Sequence, residues 1–400
     1  MGIEIAWQEW LGLIVRWVHI MVGIAWIGTS FYFIWLDQSL KKTPALPDRI
    51  KGESWSVHGG GFYHVQKYLV APDQLPGQLH WFKYEAYFTW VSGFVLLGIL
   101  YYWSAESFLM DPNRATMSIS TAISISIGSL VGGWVSYDLL CRSKLGSNTT
   151  VLSLAVFTLV VAIGWGLTQV FNDRAAFLHI GAVIGTIMTA NVFFIIIPNQ
   201  KKVVADLKKG KTPKSILGSQ AKQRSLHNNY LTLPVVLFMI SSHYPILFVG
   251  GRTHGWLVIA FIIVIGGIVR HFFNARHLGV QGAGLLWQWP VVAVLTIVLI
   301  LFLSPSREIG DREVTDAKAF SILETHCTSC HAKSPADPAF QVAPAGLYLE
   351  SLDELKLHAS RILTQAVMSE AMPLGNRTGM TKIEREELGL WIKNSIERSD

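Results

Sequence analysis

The sequence predicts an all-α protein in which a polytopic bundle of eight transmembrane helices precedes a small, more polar helical domain. Two observations lead to this fold class. Of the 400 residues, 51% are hydrophobic and only 15% are charged, which is more apolar than an ordinary soluble domain. The charged residues are also concentrated in the C-terminal quarter and in a few loops, which leaves long apolar stretches between them.

Eight stretches are long and apolar enough to cross a hydrocarbon core, which takes about 20 helical residues. They lie at 9–35, 80–103, 117–140, 149–170, 175–197, 228–248, 255–278 and 287–303. Arg16 and His19 interrupt the first stretch, so we do not expect it to be a cleavable signal peptide. The boundaries predict a membrane domain at 1–303, a linker at 304–315 and a C-terminal domain at 316–400.

The orientation of the bundle follows from the charge of its loops. The segment 198–227 carries many cations against the single carboxylate Asp206: Lys201, Lys202, Lys208, Lys209, Lys211, Lys214, Lys222 and Arg224. The positive-inside rule makes this loop cytoplasmic, and with eight spans both termini then lie outside. The net charge of +6 therefore reflects membrane topology, and we predict no nucleic-acid partner.

Two of the three cysteines stand in the run Cys327-Thr328-Ser329-Cys330-His331, which has the spacing of a covalent haem c attachment site. Each thiol can add to one vinyl group of the haem, and the following histidine can bind the iron. A zinc site would need two more ligands nearby, and the remaining cysteine, Cys141, lies in a predicted membrane helix. A thioredoxin-like site would need a βαβ context, which the sequence lacks.

The residues around this motif predict three helices. Ser351–Glu354 and Thr381–Glu384 are capping boxes that mark two helix starts, and Leu388, Trp391, Ile392 and Ile396 form an apolar stripe. Residues 316–398 resemble the small class I cytochromes c throughout. That resemblance implies His331 and a methionine as axial iron ligands, with Met372 before Pro373 fitting best and Met380 and Met368 as alternatives.

Haem c is attached outside the cytoplasm, so the motif predicts an external C-terminus independently of the charge rule. Histidines within apolar spans are costly and suggest function. His19, His179 and His243 are such residues in the outer half of the bundle. Two interpretations stay open: interhelical hydrogen bonds, or ligation of a b-type haem by a pair of them.

The segment 36–79 is predicted to be a long loop that covers the cytoplasmic mouth of the bundle or re-enters it. It is rich in glycine and aromatic residues around Trp55–Tyr68. A loop of this length is usually functional or disordered, and its aromatic content argues against disorder.

The runs His58–His64 and Leu79–Tyr87, followed by eight spans and Cys327–His331, resemble the bacterial membrane-bound urate oxidases (urate hydroxylases) with a C-terminal cytochrome c domain. The likeness covers essentially the whole chain. It implies an enzyme of the bacterial inner membrane, with the cytochrome domain and both termini in the periplasm. Urate would be oxidised to 5-hydroxyisourate with oxygen from water, and electrons would pass to haem c and then to a soluble or membrane-bound respiratory acceptor.

Several residues suit this reaction, which needs a cationic donor, stacking rings and a base tuned near neutral pH. Lys83 and Arg270 supply cations, and Tyr63 and Trp81 supply rings. The predicted catalytic residues are His64, His80, Lys83, Glu85 and His271. A cytoplasmic-side site lies far from an external haem c, which is the reason for considering a b-type haem as intermediate carrier.

Two functions from other classes explain parts of the same pattern. A quinol-linked electron-transfer cytochrome subunit accounts for the topology without purine chemistry. A transporter with a fused cytochrome sensor fits less well, because the sequence shows no matched pair of helices broken by glycine or proline.

Overall fold

The computed structural model describes residues 7–72, 74–112, 114–249, 251–304 and 313–397. The N-terminal part contains, in chain order, α1 (Trp7–Ser39), β1 (Ile50–His58), β2 (Gly61–Tyr68), α2 (Tyr84–Leu97), α3 (Ala105–Phe108), α4 (Ile119–Arg142), α5 (Thr149–Val170), α6 (Asp173–Ala190), α7 (Ile197–Lys208), α8 (Ser215–Ile240), α9 (Gly251–His277), α10 (Ala283–Leu286) and α11 (Gln288–Leu303). The C-terminal part contains α12 (Asp316–His326), α13 (Leu352–Leu357), α14 (Ala359–Ile362) and α15 (Lys382–Glu397).

Six helical segments of the described chain are long and apolar enough to span a membrane. They are Trp7–Ser39, Ile119–Arg142, Thr149–Val170, Asp173–Lys208, Arg252–His277 and Ala283–Leu303. The two other predicted spans correspond to α2 with its π-helical continuation to Tyr102, and to the second half of α8 with the short turns that follow it. The α-helical part of α2 has only 14 residues, and α8 carries a polar first half, so the count of eight spans stays a prediction.

The all-α prediction was wrong in one place, because the segment 36–79 contains a β-hairpin. Strands β1 and β2 pair antiparallel, with Trp55 opposite His64 and His58 opposite Gly61. Gly59 and Gly60 form the two-residue turn with φ of +59° and +77°, a conformation that favours glycine at both positions. The hairpin is attached to the end of α1, where Lys41 and Glu53 exchange backbone hydrogen bonds of 2.9 Å.

Helix α6 forms the centre of the membrane bundle. It packs against α4, α5 and α8, and Ile180, Ile184 and Ile187 are each 0% exposed. Its chain continues through a π-helical turn at Asn191–Ile196 into α7. The 36-residue segment Asp173–Lys208 would be about 54 Å long as a regular helix, so its two ends mark the two ends of the bundle.

The C-terminal domain packs against the end of the bundle where α6 begins. Asn172 donates a hydrogen bond to the carbonyl of Phe108 (2.9 Å), and the Arg377 guanidinium donates one to the hydroxyl of Ser107 (2.6 Å). Gly375, with φ of +60°, lies so close to Met110 that a Cβ would come within 3.0 Å of its carbonyl oxygen. The basic segment between α7 and α8 is therefore at the opposite end from the C-terminal domain.

One residue of the predicted basic loop has another role. Segment 198–227 is largely helical, and Arg224 is a buried residue of α8, 3% exposed, whose guanidinium donates to the Asp138 carboxylate at 2.6 Å. It belongs to a polar network with Asn191, Tyr137 and Asn228. The lysines of the segment still give it a strong positive charge.

The C-terminal domain has its own hydrophobic core, and its helix starts confirm the predicted capping boxes. The Ser351 hydroxyl accepts from the Glu354 amide while the Glu354 carboxylate accepts from the Ser351 amide. Thr381 and Glu384 are paired in the same way at α15. Leu388, Trp391 and Ile392 are at most 2% exposed, as the predicted stripe requires, whereas the Ile396 side chain lies outside the described part.

Replacing Glu384 with glutamine is expected to destabilise the C-terminal domain at neutral pH by about 1 kcal/mol, the usual contribution of a helix cap. The backbone amide of Thr381, together with the Thr381 hydroxyl and His326, lowers the pKa of the Glu384 carboxyl to about 2. An unfolded glutamate has a pKa of about 4.3. The stabilisation is therefore fully present above that pH and is lost as the pH falls toward 2.

Thermal unfolding of the full chain at a series of pH values checks this prediction. The difference between wild type and E384Q should shrink as the pH is lowered through that window. E386Q is the matched control, because Glu386 is an exposed residue of the same helix. An E384Q difference that persists unchanged at pH 2 would contradict the prediction.

Candidate functional site

A cavity of about 430 Å³ lies where the C-terminal domain meets the bundle. The C-terminal domain contributes Cys327, Cys330, His331, Met372 and Met380 to its lining. The bundle contributes Ser107, Phe108, Arg174, Ser242, His243 and Pro245. The cavity therefore joins the predicted haem attachment motif to the membrane domain, which the sequence did not predict.

The motif lies directly after α12, and local hydrogen bonds fix its shape. The amides of Cys330 and His331 both donate to the Cys327 carbonyl, at 3.3 and 2.9 Å. The Nδ1 atom of His331 lies 3.0 Å from the Leu347 carbonyl oxygen, so Nδ1 carries the proton and donates. The Nε2 atom is then the nitrogen with a free lone pair, as a metal-ligating histidine requires.

The three candidate methionine ligands occupy different environments. Met372 lines the cavity and is partly exposed, and its amide donates to the Gln365 carbonyl at 2.9 Å. Met380 also lines the cavity but is only 3% exposed and belongs to the domain core. Met368 is absent from the cavity lining. The arrangement favours Met372, which stays a prediction.

The two motif cysteines form no disulfide bond. Burial raises the pKa of the Cys327 thiol to about 12. Redox-active cysteine pairs have the opposite property, a lowered pKa that makes the thiolate available.

The cavity residues fit a haem c. The donor set is one imidazole, one thioether and two thiols at the attachment spacing, and the volume lies in the usual range for ligand sites. Arg174, Arg361 and Arg377 line the same cavity and could pair with propionate groups. The Nε atom of Arg174 is buried and has no hydrogen-bond partner, so one donor is still available there.

The five predicted catalytic residues are found in three places. His64 lies on β2, stacked on Trp55 at 4.1 Å and 2.7 Å from a Glu53 carboxylate oxygen. The hydrogen bond from His64 lowers the pKa of that carboxyl. His80, Lys83 and Glu85 lie at the start of α2, where the His80 ring contacts Phe82 and the Lys83 ammonium lies over the Tyr84 ring.

His271 lies apart from the other four predicted catalytic residues, within helix α9. Its Nδ1 atom is 2.8 Å from the Tyr230 hydroxyl of α8. The His271 side chain is exposed, and neighbouring positions of α8 and α9 carry a group of buried polar side chains. This group includes Arg270, which sequence reasoning had named only as a possible cation.

The three membrane histidines have separate surroundings. His19 contacts Ser92 and the Thr89 carbonyl, each at 3.0 Å, between α1 and α2. His179 is 0% exposed, with Nε2 2.6 Å from the Ser126 hydroxyl and Nδ1 2.7 Å from the Ala175 carbonyl oxygen. His243 is exposed and lines the cavity at the domain junction. Because both nitrogens of His179 have protein partners, we derive no step through a b-type haem, which stays a prediction.

Comparison with known proteins gives one match. A family model described as "Urate oxidase N-terminal" matches residues 5–304, three quarters of the chain. Neither the curated proteins nor the solved structures contain a significant match. The matched region ends where α11 ends, so it covers the whole membrane domain, and the chain belongs to the Urate oxidase N-terminal family.

Proposed function

We propose that this protein is a membrane-bound urate oxidase that passes electrons from urate to a haem c in its own C-terminal domain. Urate and one water would yield 5-hydroxyisourate, two protons and two electrons. The new bond joins the water oxygen to the purine ring, so dioxygen is not consumed and hydrogen peroxide is not formed. The family match supports an oxidoreductase acting on urate.

One observation carries the electron-transfer part of the proposal: the cavity at the domain junction. Cys327, Cys330 and His331 share it with Arg174, Ser242 and His243 of the membrane domain. A haem attached to the motif would therefore have the membrane domain as one wall of its site. Electrons that leave the bundle at this end would reach the haem without a separate docking step.

Cys327 and Cys330 would hold the haem through thioether bonds, and His331 and Met372 would bind its iron. When bound, it accepts and releases electrons one at a time. The protein's part is to orient His331 through the Leu347 carbonyl and to offer Arg174 as a cation. An external acceptor of the respiratory chain would then reoxidise the domain.

The proposed orientation puts the C-terminal domain in the periplasm of a bacterial inner membrane. It is supported by the position of the basic α7–α8 segment at the other end of the bundle and by the external site of haem c attachment. With eight spans both termini would be periplasmic. Cys141, near the basic end, would face the reducing cytoplasm.

Urate added without oxygen to oxidised membranes that contain the protein is expected to reduce its haem, seen as a rise of the α-band. Product formed in ¹⁸O-labelled water should carry the label. Reduction by a quinol but not by urate would overturn the proposal in favour of an electron-transfer subunit without purine chemistry. A pyridine haemochrome spectrum of the same sample tests for a non-covalent b-type haem beside haem c.

A further inference from the structure

The inner half of the bundle contains a set of buried polar atoms that have no hydrogen-bond partner. Five of the residues that carry such atoms lie on α1, α8 and α9, and we call them the polar seam: Gln38, Asn229, Arg270, Asn274 and His277. Arg270, Asn229 and Asn274 are 3%, 0% and 4% exposed. Polar groups this deeply buried normally form hydrogen bonds, so the free donors and acceptors of the seam need a structural explanation.

Helix geometry brings the seam residues together. Arg270, Asn274 and His277 are spaced four and three residues apart and share one face of α9. Asn274 joins this face to α8 through a 2.8 Å hydrogen bond from its amide to the Asn229 side-chain oxygen. The hydroxyl of Tyr230, the next residue in α8, lies 2.8 Å from Nδ1 of His271.

Helix α1 closes the other side of the seam. The Arg270 guanidinium lies over the Phe31 ring at 3.8 Å. Both α1 and α9 run toward the inner end of the bundle. Gln38 lies seven residues after Phe31 in α1, and His277 lies seven residues after Arg270 in α9, which is two helical turns in each case. Gln38 and His277 are therefore at the same level, about 10 Å closer to the inner end than Arg270.

The charge of Arg270 is not balanced by the protein. In the described part of the chain no carboxylate forms an ion pair with it, and its Nε and Nη2 atoms have no partner. Arg224, also 3% exposed, differs because Asp138 neutralises it. A buried unpaired cation is costly within a membrane and is retained where it binds something.

The free atoms define the chemistry of the missing partner. Arg270 offers N–H donors to an anion, and the ring of Phe31 holds the guanidinium plane so that its edge stays available. The Asn229–Asn274 amide pair leaves one N–H and one carbonyl oxygen free, whichever way the two amides are turned. Gln38 adds a second carbonyl oxygen. The partner must therefore be an anion that both accepts and donates hydrogen bonds.

We infer that the polar seam is the binding site for the urate anion, with Arg270 on its charged carbonyl edge and the Asn274 and Gln38 oxygens accepting from its ring N–H groups. This inference rests on the proposed function. A phosphodiester group would satisfy Arg270 but has no N–H or O–H of its own to donate to the two carbonyl oxygens.

The test measures urate binding and stability in the same variants. Radiolabelled urate is equilibrated with the oxidised, detergent-solubilised full chain, and thermal unfolding is recorded in parallel. R270Q should weaken urate binding by about 30-fold or more, since it removes one partner of a buried charge pair. Its thermal stability without urate should be equal to or above that of wild type, because an unpaired buried charge is gone. R276Q, which removes an exposed arginine of the same helix, should bind normally.

Two further variants keep the inference testable if R270Q is poorly folded. N274D puts a carboxylate one turn from Arg270 and should repel urate, and Q38L should weaken binding without a change of charge. Excess inorganic phosphate should not displace the label. Wild-type affinity in R270Q, N274D and Q38L, with haem still reduced by urate, would overturn the seam as the site and leave the proposed function standing. Failure of wild type both to bind urate and to be reduced by it would overturn both.

Discussion

Replacing Cys327 and Cys330 with serine is expected to abolish covalent haem and, with it, all urate-dependent reduction at the α-band. Serine hydroxyls do not add to the haem vinyl groups, so nothing would retain the haem through denaturation. The measurement is haem staining of the full chain after denaturing electrophoresis, together with anaerobic urate titration of the membranes. C141S is the matched control: it removes the third cysteine, which lies at the other end of the bundle, and should leave both signals unchanged.

A stained band in the C327S/C330S double variant would contradict this prediction.

The variants M372A and M380A, tested in the same way, identify the second ligand of the haem iron. M372A should keep covalent haem and lower its reduction potential, because a thioether ligand raises it. M380A, which changes a buried core residue on the same cavity, should lower thermal stability and leave the potential near that of wild type. The reverse pattern would assign the iron to Met380.

Arg114→Met is expected to destabilise the protein by about 3–5 kcal/mol, the usual cost of breaking a buried ion pair by removing one partner. The Arg114 guanidinium donates to both oxygens of Asp173, at 2.7 and 2.5 Å, and to Asp111 at 2.9 Å. It also donates to the carbonyls of Thr168 and Phe171 at the end of α5. Its loss would leave the Asp173 carboxylate without this cation, at the end of the bundle that holds the C-terminal domain.

The thermal unfolding midpoint of the purified protein in detergent reports this loss. R142M is the matched control, because Arg142 pairs with Asp138 through a side chain that is 59% exposed, and such pairs contribute at most about 1 kcal/mol. The double variant R114M/D173N should recover part of the stability, since it also removes the Asp173 carboxylate that R114M leaves without its cation. Equal midpoints for R114M and wild type would show that the pair contributes nothing.

Local sequence patterns predicted the parts of the structure that depend on neighbouring residues. The capping boxes at Ser351 and Thr381 formed as expected, because a cap involves only the first turn of its helix. The hairpin at 50–68 was missed although Gly59-Gly60 stands between two alternating stretches. Two adjacent glycines between such stretches favour a two-residue hairpin turn, whereas the prediction placed the whole segment 36–79 in one loop.

Tertiary packing explains what the sequence could not reveal about the sites. The spacing of Arg270, Asn274 and His277 already puts them on one face of α9, but nothing local indicates that Phe31 and Gln38 of α1 lie opposite. The motif at Cys327 likewise predicted a haem site. The sequence could not predict that Arg174 and His243 line the same cavity, because this depends on how the C-terminal domain packs against the membrane domain. For His179 the hydrogen-bonding interpretation describes the observed contacts with Ser126 and Ala175.

In the proposed orientation the seam lies near the inner end of the bundle and the proposed haem site at the outer end, and this has an electrical consequence. Each electron that travels from Arg270's neighbourhood to the junction carries negative charge outward through part of the membrane field. Moving one charge across the full field is worth about 2.3 kcal/mol per 100 mV. The inside-negative potential of an energised cell would assist this movement, so turnover in sealed vesicles should slow when an ionophore collapses the voltage. In this protein the oxidation of urate would then be an electrogenic reaction, and its rate would depend on the state of the membrane.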